Sequence, residues 1–168
     1  MAAKETDEFN TGPTTFIEAE GTTLKAALDI SRNFGAVRDV LLPFKSGALY
    51  PGDAKTLYAI AAKLKIASYF NLGKNLADWR AWLAQHGPIL VRLNVDTTWD
   101  AAKQNAGKLV TYNPVGTRGG HAVALVGYRP GEFIVRNSWG TTWGDKGFGY
   151  ASDAYAQAAF TEAYGVTV

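Results

Sequence analysis

A histidine and an asparagine are the two side chains of this sequence whose types and placement best suit chemistry at neutral pH. His121 opens the apolar run "HAVALVGY", and Asn137 directly follows the run "EFIVR" of the next segment. An imidazole takes up and releases protons near neutral pH, and an amide beside it fixes its tautomer and orientation. Taken singly, the two residues are an ordinary core histidine and a turn asparagine. Taken together, they indicate a general base and the group that orients it.

Two tryptophans follow this pair. Trp139 and Trp143 lie in "NSWGTTWGDKGFGY", among glycines. They are either ordinary core or rim aromatics, or a cover that keeps water away from a His–Asn hydrogen bond. The second histidine, His86, ends a predicted helix before a Gly-Pro pair, where a structural role is favoured.

The nucleophile that such a base would activate is missing from the chain. There is no cysteine, and Ser138 does not lie in the G-x-S-x-G context of a nucleophile elbow. Phosphate-binding, dinucleotide-binding and H-E-x-x-H motifs are also absent from the sequence. Two distant histidines do not suggest zinc, and "NVDTTWD", with Asp96 and Asp100, lacks the glycine and glutamate of a calcium loop. We therefore predict neither a metal nor a cofactor.

Composition and charge limit the classes of partner. The 168 residues include 17 basic and 15 acidic side chains, a formal net charge of +2, and the basic residues form no run. No apolar stretch approaches the roughly 20 residues of a membrane span, and "MAAKETDEFN" lacks the apolar region of a signal peptide. We expect no nucleic-acid or membrane partner, and the sequence leaves the cellular compartment open.

The elements that must position the pair divide the chain into a helical first half and a β-rich second half. Three helices are predicted, capped by Thr22 or Thr23, by Asp53 and by Asn75. After Pro88 the apolar period changes from about 3.6 residues to 2. Strands are predicted at "ILVRLNV", "HAVALVGY", "EFIVRNSW", "GFGYAS" and "AFTEAYGVTV".

The combination of these blocks resembles the C-terminal half of the papain-like cysteine peptidases, in particular their bacterial branch. The segments that carry the resemblance are "GGHAVALVGY" and "FIVRNSWGTTWGDKGFGYAS", supported by "HGPILVRLNV" and "EGTTLKAALDISRNFGAVRDVLLPF". It covers roughly Glu18 to Val168. The resemblance implies an α+β, papain-like fold that is incomplete. A remnant of the helical subdomain, residues 1–86, would precede an antiparallel, β-barrel-like subdomain, residues 87–168, and both would fold as one unit.

The resemblance also implies catalytic roles for four side chains. His121 would be the partner of a catalytic thiolate, and Asn137 would orient its ring. Trp139 would shield their hydrogen bond, and Trp143 would lie on the leaving-group side.

Two small residues would contact the substrate. Gly120 would border it, and Ala122 would line the pocket for the substrate side chain two residues before the cut. The family's nucleophile is a cysteine at the start of a central helix, with an oxyanion-hole glutamine just before it. Neither has a match here, because Gln85 and Gln104 lie in other contexts.

Two functions follow from this pattern. The first is a cysteine peptidase, hydrolysing peptide bonds by acyl transfer, represented by a portion that is inactive alone because the cysteine is absent. Its partners would be a peptide or protein substrate and either a cysteine-bearing segment on another chain or a second copy. That partner would cover apolar faces expected to be exposed at 24–28, at 57–64 and on the strands. The alternative is a catalytically dead pseudo-peptidase that binds peptides or proteins. The retained His–Asn pair favours the first, and the missing cysteine favours the second or a fragment.

Overall fold

Four α-helices, three short 3-10 helices and seven strands lie in the described part of the chain, which in this computed structural model comprises Ala3, Thr6 and residues 21–43 and 50–168. The helices are α1 (Leu24–Asn33), α2 (Ala54–Ala61), α3 (Leu76–Gln85) and α4 (Asp153–Ala159). The strands are β1 (Ser68–Asn71), β2 (Ile89–Val95), β3 (Lys108–Leu109), β4 (Gly119–Arg129), β5 (Glu132–Arg136), β6 (Phe148–Ser152) and β7 (Phe160–Thr167). None of the helices in these ranges is long and apolar enough to cross a membrane.

The strands form one open sheet in the order β1-β7-β2-β4-β5-β6-β3. The pairs β2–β4, β2–β7, β4–β5 and β5–β6 are antiparallel, and the short pair β3–β6 is parallel. Buried and partly buried residues alternate along all seven positions of β2, as the period-2 pattern of "ILVRLNV" predicts. The predicted α+β, papain-like fold class is confirmed by this arrangement and by the solved structures that share it.

Side-chain caps begin the first three helices at the predicted places. The side chains of Thr23, Asp53 and Asn75 each accept a hydrogen bond from a backbone amide two or three residues further on. These bonds satisfy amides that have no partner within the helix. Helix starts could be predicted because a cap is a local feature of the sequence.

Helix α4 was not predicted. It occupies "DAYAQAA", between two segments that were correctly assigned as strands, and the side chain of Ser152 caps it. The helix is short, and it buries Tyr155, Ala156 and Ala159. A segment of this length does not form a stable helix in isolation, so packing rather than propensity decides its structure.

The chain divides into two compact units, residues 1–68 with 167–168, and residues 69–166. In the described part of the first unit, Leu24 and Leu28 of α1 are 6% and 5% exposed, so the expected exposed face at 24–28 is wrong. At the second expected face, Leu64 is 43% exposed, whereas Ala61 is 6% exposed and Leu57 and Ile60 are partly buried, so the expectation holds at Leu64 alone. Among the strands, Val91 of β2 and Leu125 of β4 are 0% exposed, so the expected exposure is wrong there too. The predicted boundary between residues 86 and 87 stays a prediction.

The second unit has a continuous apolar core formed by α3, α4 and the strands. Trp79 of α3 is 1% exposed and packs against Phe133 of β5 and Phe160 of β7, with ring centroids 5.8 and 6.0 Å away. Its indole Nε1 donates to the carbonyl of Gly73 at 3.1 Å. The fully buried residues of β2, β4 and β5 belong to the same core, which fixes the strands that carry the candidate site.

The loop between β5 and β6 depends on glycines with positive φ. A Cβ at Gly144 (φ 55°) would lie 2.2 Å from the carbonyl oxygen of Phe148, whereas a Cβ at Gly140 (φ 84°) would meet nothing within 4 Å. We expect Gly140→Ala to lower the free energy of unfolding by about 1–2 kcal/mol, the cost of a left-handed conformation. Gly144→Ala should cost at least about 1 kcal/mol more, because the backbone must also move. Urea unfolding of the two variants measures the difference, and equal losses would contradict this account of the loop.

Candidate active site

Strand pairing brings His121 and Asn137 together. His121 lies on β4, opposite Leu93 of β2, and Asn137 follows the last residue of β5. Because β4 and β5 are antiparallel neighbours, with Ala124 opposite Arg136, the end of β5 lies beside the middle of β4, three residues from His121. The imidazole Nε2 and the amide Oδ1 of Asn137 are 2.8 Å apart. The sequence-predicted pair therefore forms a direct hydrogen bond.

The amide orientation of Asn137 determines the tautomer of the imidazole. The backbone N–H of Ser138 donates to the same Oδ1 atom at 2.8 Å, which identifies that atom as the oxygen. Since an oxygen acceptor requires a donor, Nε2 carries a proton and Nδ1 of the neutral ring carries the lone pair. Nδ1 is therefore the atom that can remove a proton from a nucleophile.

One atom of this amide has no hydrogen-bond partner among the described residues. Asn137 is 4% exposed, and its Nδ2 makes no hydrogen bond to them. A buried donor without an acceptor costs free energy.

Burial controls the protonation of His121. Desolvation lowers its pKa below the ordinary 6.5, and the hydrogen bond to Asn137 opposes this by raising it. Burial is the larger effect because removal from water penalises the charged ring. A neutral imidazole at pH 7 is the protonation state that a general base requires.

The lowered pKa predicts a pH dependence of stability. Below pH 6.5 the unfolded chain binds a proton that the folded chain resists, so the folded state loses stability as pH falls from 6.5 towards the lowered folded-state pKa. Above pH 6.5, and again below the folded-state pKa, the contribution of His121 to stability does not change with pH. We expect the stability of the wild type relative to His121→Gln to decline in this window, measured by urea unfolding at a series of pH values. A difference that is flat with pH, or that grows as pH falls, would contradict this.

Two indole rings flank the imidazole. Trp139 is 46% exposed, and its ring lies 4.8 Å from the imidazole centroid at an interplanar angle of 31°. Trp99 meets the imidazole edge-on, at 5.7 Å and 90°. Trp139 is thus placed to cover the ring as the sequence suggested, and its shielding role stays a prediction.

Trp143 lies deeper than Trp139. It is 8% exposed, its ring is 4.8 Å from that of Trp99, and its Nε1 donates to the backbone carbonyl of Trp99 at 3.1 Å. Trp99, Trp139 and Trp143 together form an aromatic cluster beside His121. Within this cluster, Trp143 supports Trp99. Its predicted place on the leaving-group side stays a prediction.

The two predicted substrate-contacting residues, Gly120 and Ala122, are exposed and flank His121 on β4. Ala122 pairs with Arg92 of β2, and a Cβ at Gly120 would lie 2.6 Å from Nη2 of Arg92. The guanidinium also donates to Oγ1 of Thr161 at 2.9 Å. Small residues at 120 and 122 therefore leave room for the arginine side chain, and their contact with substrate stays a prediction.

The residues beneath the indoles of Trp99 and Trp139 have no signal in the sequence. Asp96 lies in a segment that resembles a calcium loop only in part, and Tyr155 lies in the helix that the sequence pattern does not predict. The hydrogen bonds among them join residues 56 and 59 positions apart. No local motif signals contacts over that distance. Within the described ranges, no group of three His, Asp or Glu side chains could hold a metal ion.

Comparisons with known proteins agree with this architecture. The sequence profile described as "Papain family cysteine protease" matches residues 14–164. Cysteine proteinase B of Leishmania mexicana is 29% identical over 110 residues, which are 63% of this chain and 24% of that protein. The chain therefore spans about a quarter of the length of that relative.

Solved structures share the fold. Xylellain, a cysteine protease from Xylella fastidiosa, superposes with a TM-score of 0.73 at 20% identity, covering 91% of this chain and 66% of that one. A Carica candamarcensis cysteine protease gives a TM-score of 0.65 at 22% identity, covering 88% and 68%.

Proposed function

Since this chain belongs to the papain family of cysteine proteases, we propose that it supplies the imidazole–amide half of a peptidase site. The observation that carries the proposal is the 2.8 Å contact between His121 Nε2 and Asn137 Oδ1. This bond makes Nδ1 the basic nitrogen and holds the ring against rotation. A module that only binds peptides has no chemical need for such a pair.

The reaction would be hydrolysis of a peptide bond by acyl transfer. Nδ1 of His121 takes the proton of a cysteine thiol, and the thiolate attacks the scissile carbonyl carbon. The imidazolium then gives that proton to the leaving amine, and a thioester remains. Water, deprotonated by the same nitrogen, attacks the thioester, and the proton returns to the thiol as the carboxylic acid leaves.

The thiol must come from outside these 168 residues, which contain no cysteine, and we propose that association with a cysteine-bearing segment brings it. Exposed aromatic and aliphatic side chains in the first unit support such an association. Phe34 and Tyr58 are 44% and 45% exposed with ring centroids 5.3 Å apart, and Leu64 is 43% exposed. We propose that a cysteine-bearing segment or a second copy of the chain covers them. A molar mass in solution that stays monomeric at every concentration, with and without the segment, would refute this association.

The chain alone is expected to hydrolyse no peptide at any pH, and to gain hydrolysis when mixed with a polypeptide that carries the family's cysteine helix. The measurement is release of a fluorescent amine from a peptide substrate. A matched control uses the same polypeptide with its cysteine replaced by serine, which should give no activity. Hydrolysis by the chain alone, lost in His121→Ala, would overturn the assignment of the nucleophile to a cysteine outside these 168 residues.

The second candidate is a pseudo-peptidase that binds a peptide or protein without cutting it. The absence of cysteine from the sequence favours it. Calorimetric titration with peptides separates the two candidates. Saturable binding by the chain alone, with no hydrolysis after addition of the cysteine-bearing polypeptide, would favour the binding module.

A further inference from the structure

A buried carboxylate lies close beneath the aromatic cluster. Asp96 is 0% exposed, and it accepts hydrogen bonds from Tyr155 Oη at 2.6 Å, Thr98 Oγ1 at 2.6 Å and the backbone N–H of Asn113 at 2.7 Å. Three donors satisfy the carboxyl oxygens in the absence of water. A buried polar group whose partners are all in place makes its surroundings rigid, so Asp96 is suited to fix the residues bonded to it.

In the two hydrogen bonds that link Trp99 to Tyr155 and Tyr155 to Asp96, donor and acceptor are fixed. Nε1 of Trp99 donates to Tyr155 Oη at 2.9 Å, and an indole N–H cannot accept. The phenol therefore gives its own proton to Asp96. Burial, followed by the hydrogen bond to Asp96, raises the pKa of Tyr155, so the phenol stays protonated. When hydrogen bonds are linked in this way, each bond polarises and strengthens the next.

This line fixes the orientation of Trp99. Its indole nitrogen is held by Tyr155, and its backbone carbonyl is held by Nε1 of Trp143 at 3.1 Å. The ring then meets His121 edge-on at 5.7 Å and Trp139 at 5.5 Å. The imidazole lies in the corner between the two indoles, and its recorded partners in the described part of the chain are two indoles and an amide.

We propose that Asp96, acting through Tyr155 and Trp99, is a positioning residue that keeps the His121 imidazole on its hydrogen bond to Asn137. The inference rests on the proposed function in that it concerns the base of the same site. Its test observes the imidazole itself and needs no hydrolysis, so failure of one does not imply failure of the other.

The test compares Tyr155→Phe with Tyr164→Phe by NMR of the histidine-labelled chain. Both variants remove one phenol hydroxyl from a buried tyrosine, and Tyr164 lies on β7, opposite Leu90. In Tyr155→Phe, Trp99 loses its acceptor and water gains access to the imidazole. The pKa of His121 should then rise towards its ordinary value, since burial is what lowers it. Its Nε2 proton should exchange with solvent about fivefold faster, equivalent to the roughly 1 kcal/mol of one buried hydrogen bond.

The control should leave both readouts of His121 unchanged, and His86 serves as an internal reference in every sample. If Tyr155→Phe does not fold, Thr98→Val decides, because it removes a single donor to Asp96 and should shift both readouts the same way by less. If the pKa of His121 and the exchange rate of its Nε2 proton are unchanged in a folded variant, while stability falls as much as in the control, Asp96 only anchors the fold. That result would overturn the proposal. If the pKa and the proton exchange rate of His121 change but no mixture hydrolyses peptide, the positioning role is supported and the proposed peptidase function is refuted.

Discussion

Replacing His121 with alanine is expected to lower kcat/KM for peptide hydrolysis about ten-thousandfold or more once the chain is complemented with a cysteine-bearing polypeptide. Loss of the base leaves the thiol with no proton acceptor and the leaving amine with no donor, and members of such a unit fail together. In the proposed mechanism, the hydrogen bond from His121 Nε2 to Asn137 Oδ1 would place Nδ1 for both transfers. Initial rates with a fluorogenic peptide at a saturating concentration of the cysteine-bearing polypeptide provide the measurement.

The second histidine of the chain provides the matched control. His86 is the C-terminal cap residue of α3, and its ring stacks on Trp82 at 4.4 Å. His86→Ala should leave kcat/KM within about threefold, since no contact joins it to the described site. The kcat/KM of Asn137→Ala should lie between those of His121→Ala and His86→Ala, because the base remains but loses its orienting partner. Equal activity in His121→Ala and His86→Ala would remove His121 from the mechanism.

The elements that can be predicted from the sequence are those whose structure is determined by neighbouring residues. The caps Thr23, Asp53 and Asn75 each bond to an amide two or three residues away, so a few letters contain the whole interaction. The alternation along β2 is equally local, because each strand residue faces the side opposite to its neighbour. Helix α4 was missed because its seven residues are decided by the core that buries Tyr155 and Ala156.

The same distinction divides the candidate site. His121 and Asn137 could be paired from sequence because a short hairpin joins their strands, and antiparallel pairing returns the end of β5 to the part of β4 near His121. Asp96 and Tyr155 could not be paired, because their hydrogen bond spans 59 positions. Burial of His121, which sets its basicity, also depends on Trp99 from a distant segment. The sequence could thus identify the candidate pair, whereas the burial that lowers the pKa of His121 depends on tertiary packing.

The largest loss of stability is expected for Trp79→Ala, at about 3–5 kcal/mol of unfolding free energy. The indole is 1% exposed between Phe133 and Phe160, so its removal leaves a cavity that rigid strands do not fill. It also leaves the Gly73 carbonyl without the hydrogen bond from Nε1. Since small domains are stable by only about 5–15 kcal/mol, much of the variant should be unfolded under mild denaturing conditions. Urea titration followed by circular dichroism measures this without relying on tryptophan emission.

Trp139→Ala is the matched comparison, because it removes the same side chain from a surface that is 46% exposed. Its stability should fall by less than about 1 kcal/mol, as is usual for a partly exposed residue outside the core. Its effect should instead appear at His121, where the indole covers the imidazole at 4.8 Å. Removing that cover should raise the pKa of His121 towards its ordinary value, because burial is what lowers it. If both variants lost equal stability, or if Trp139→Ala left His121 unchanged, the division between a core tryptophan and a site tryptophan would be wrong.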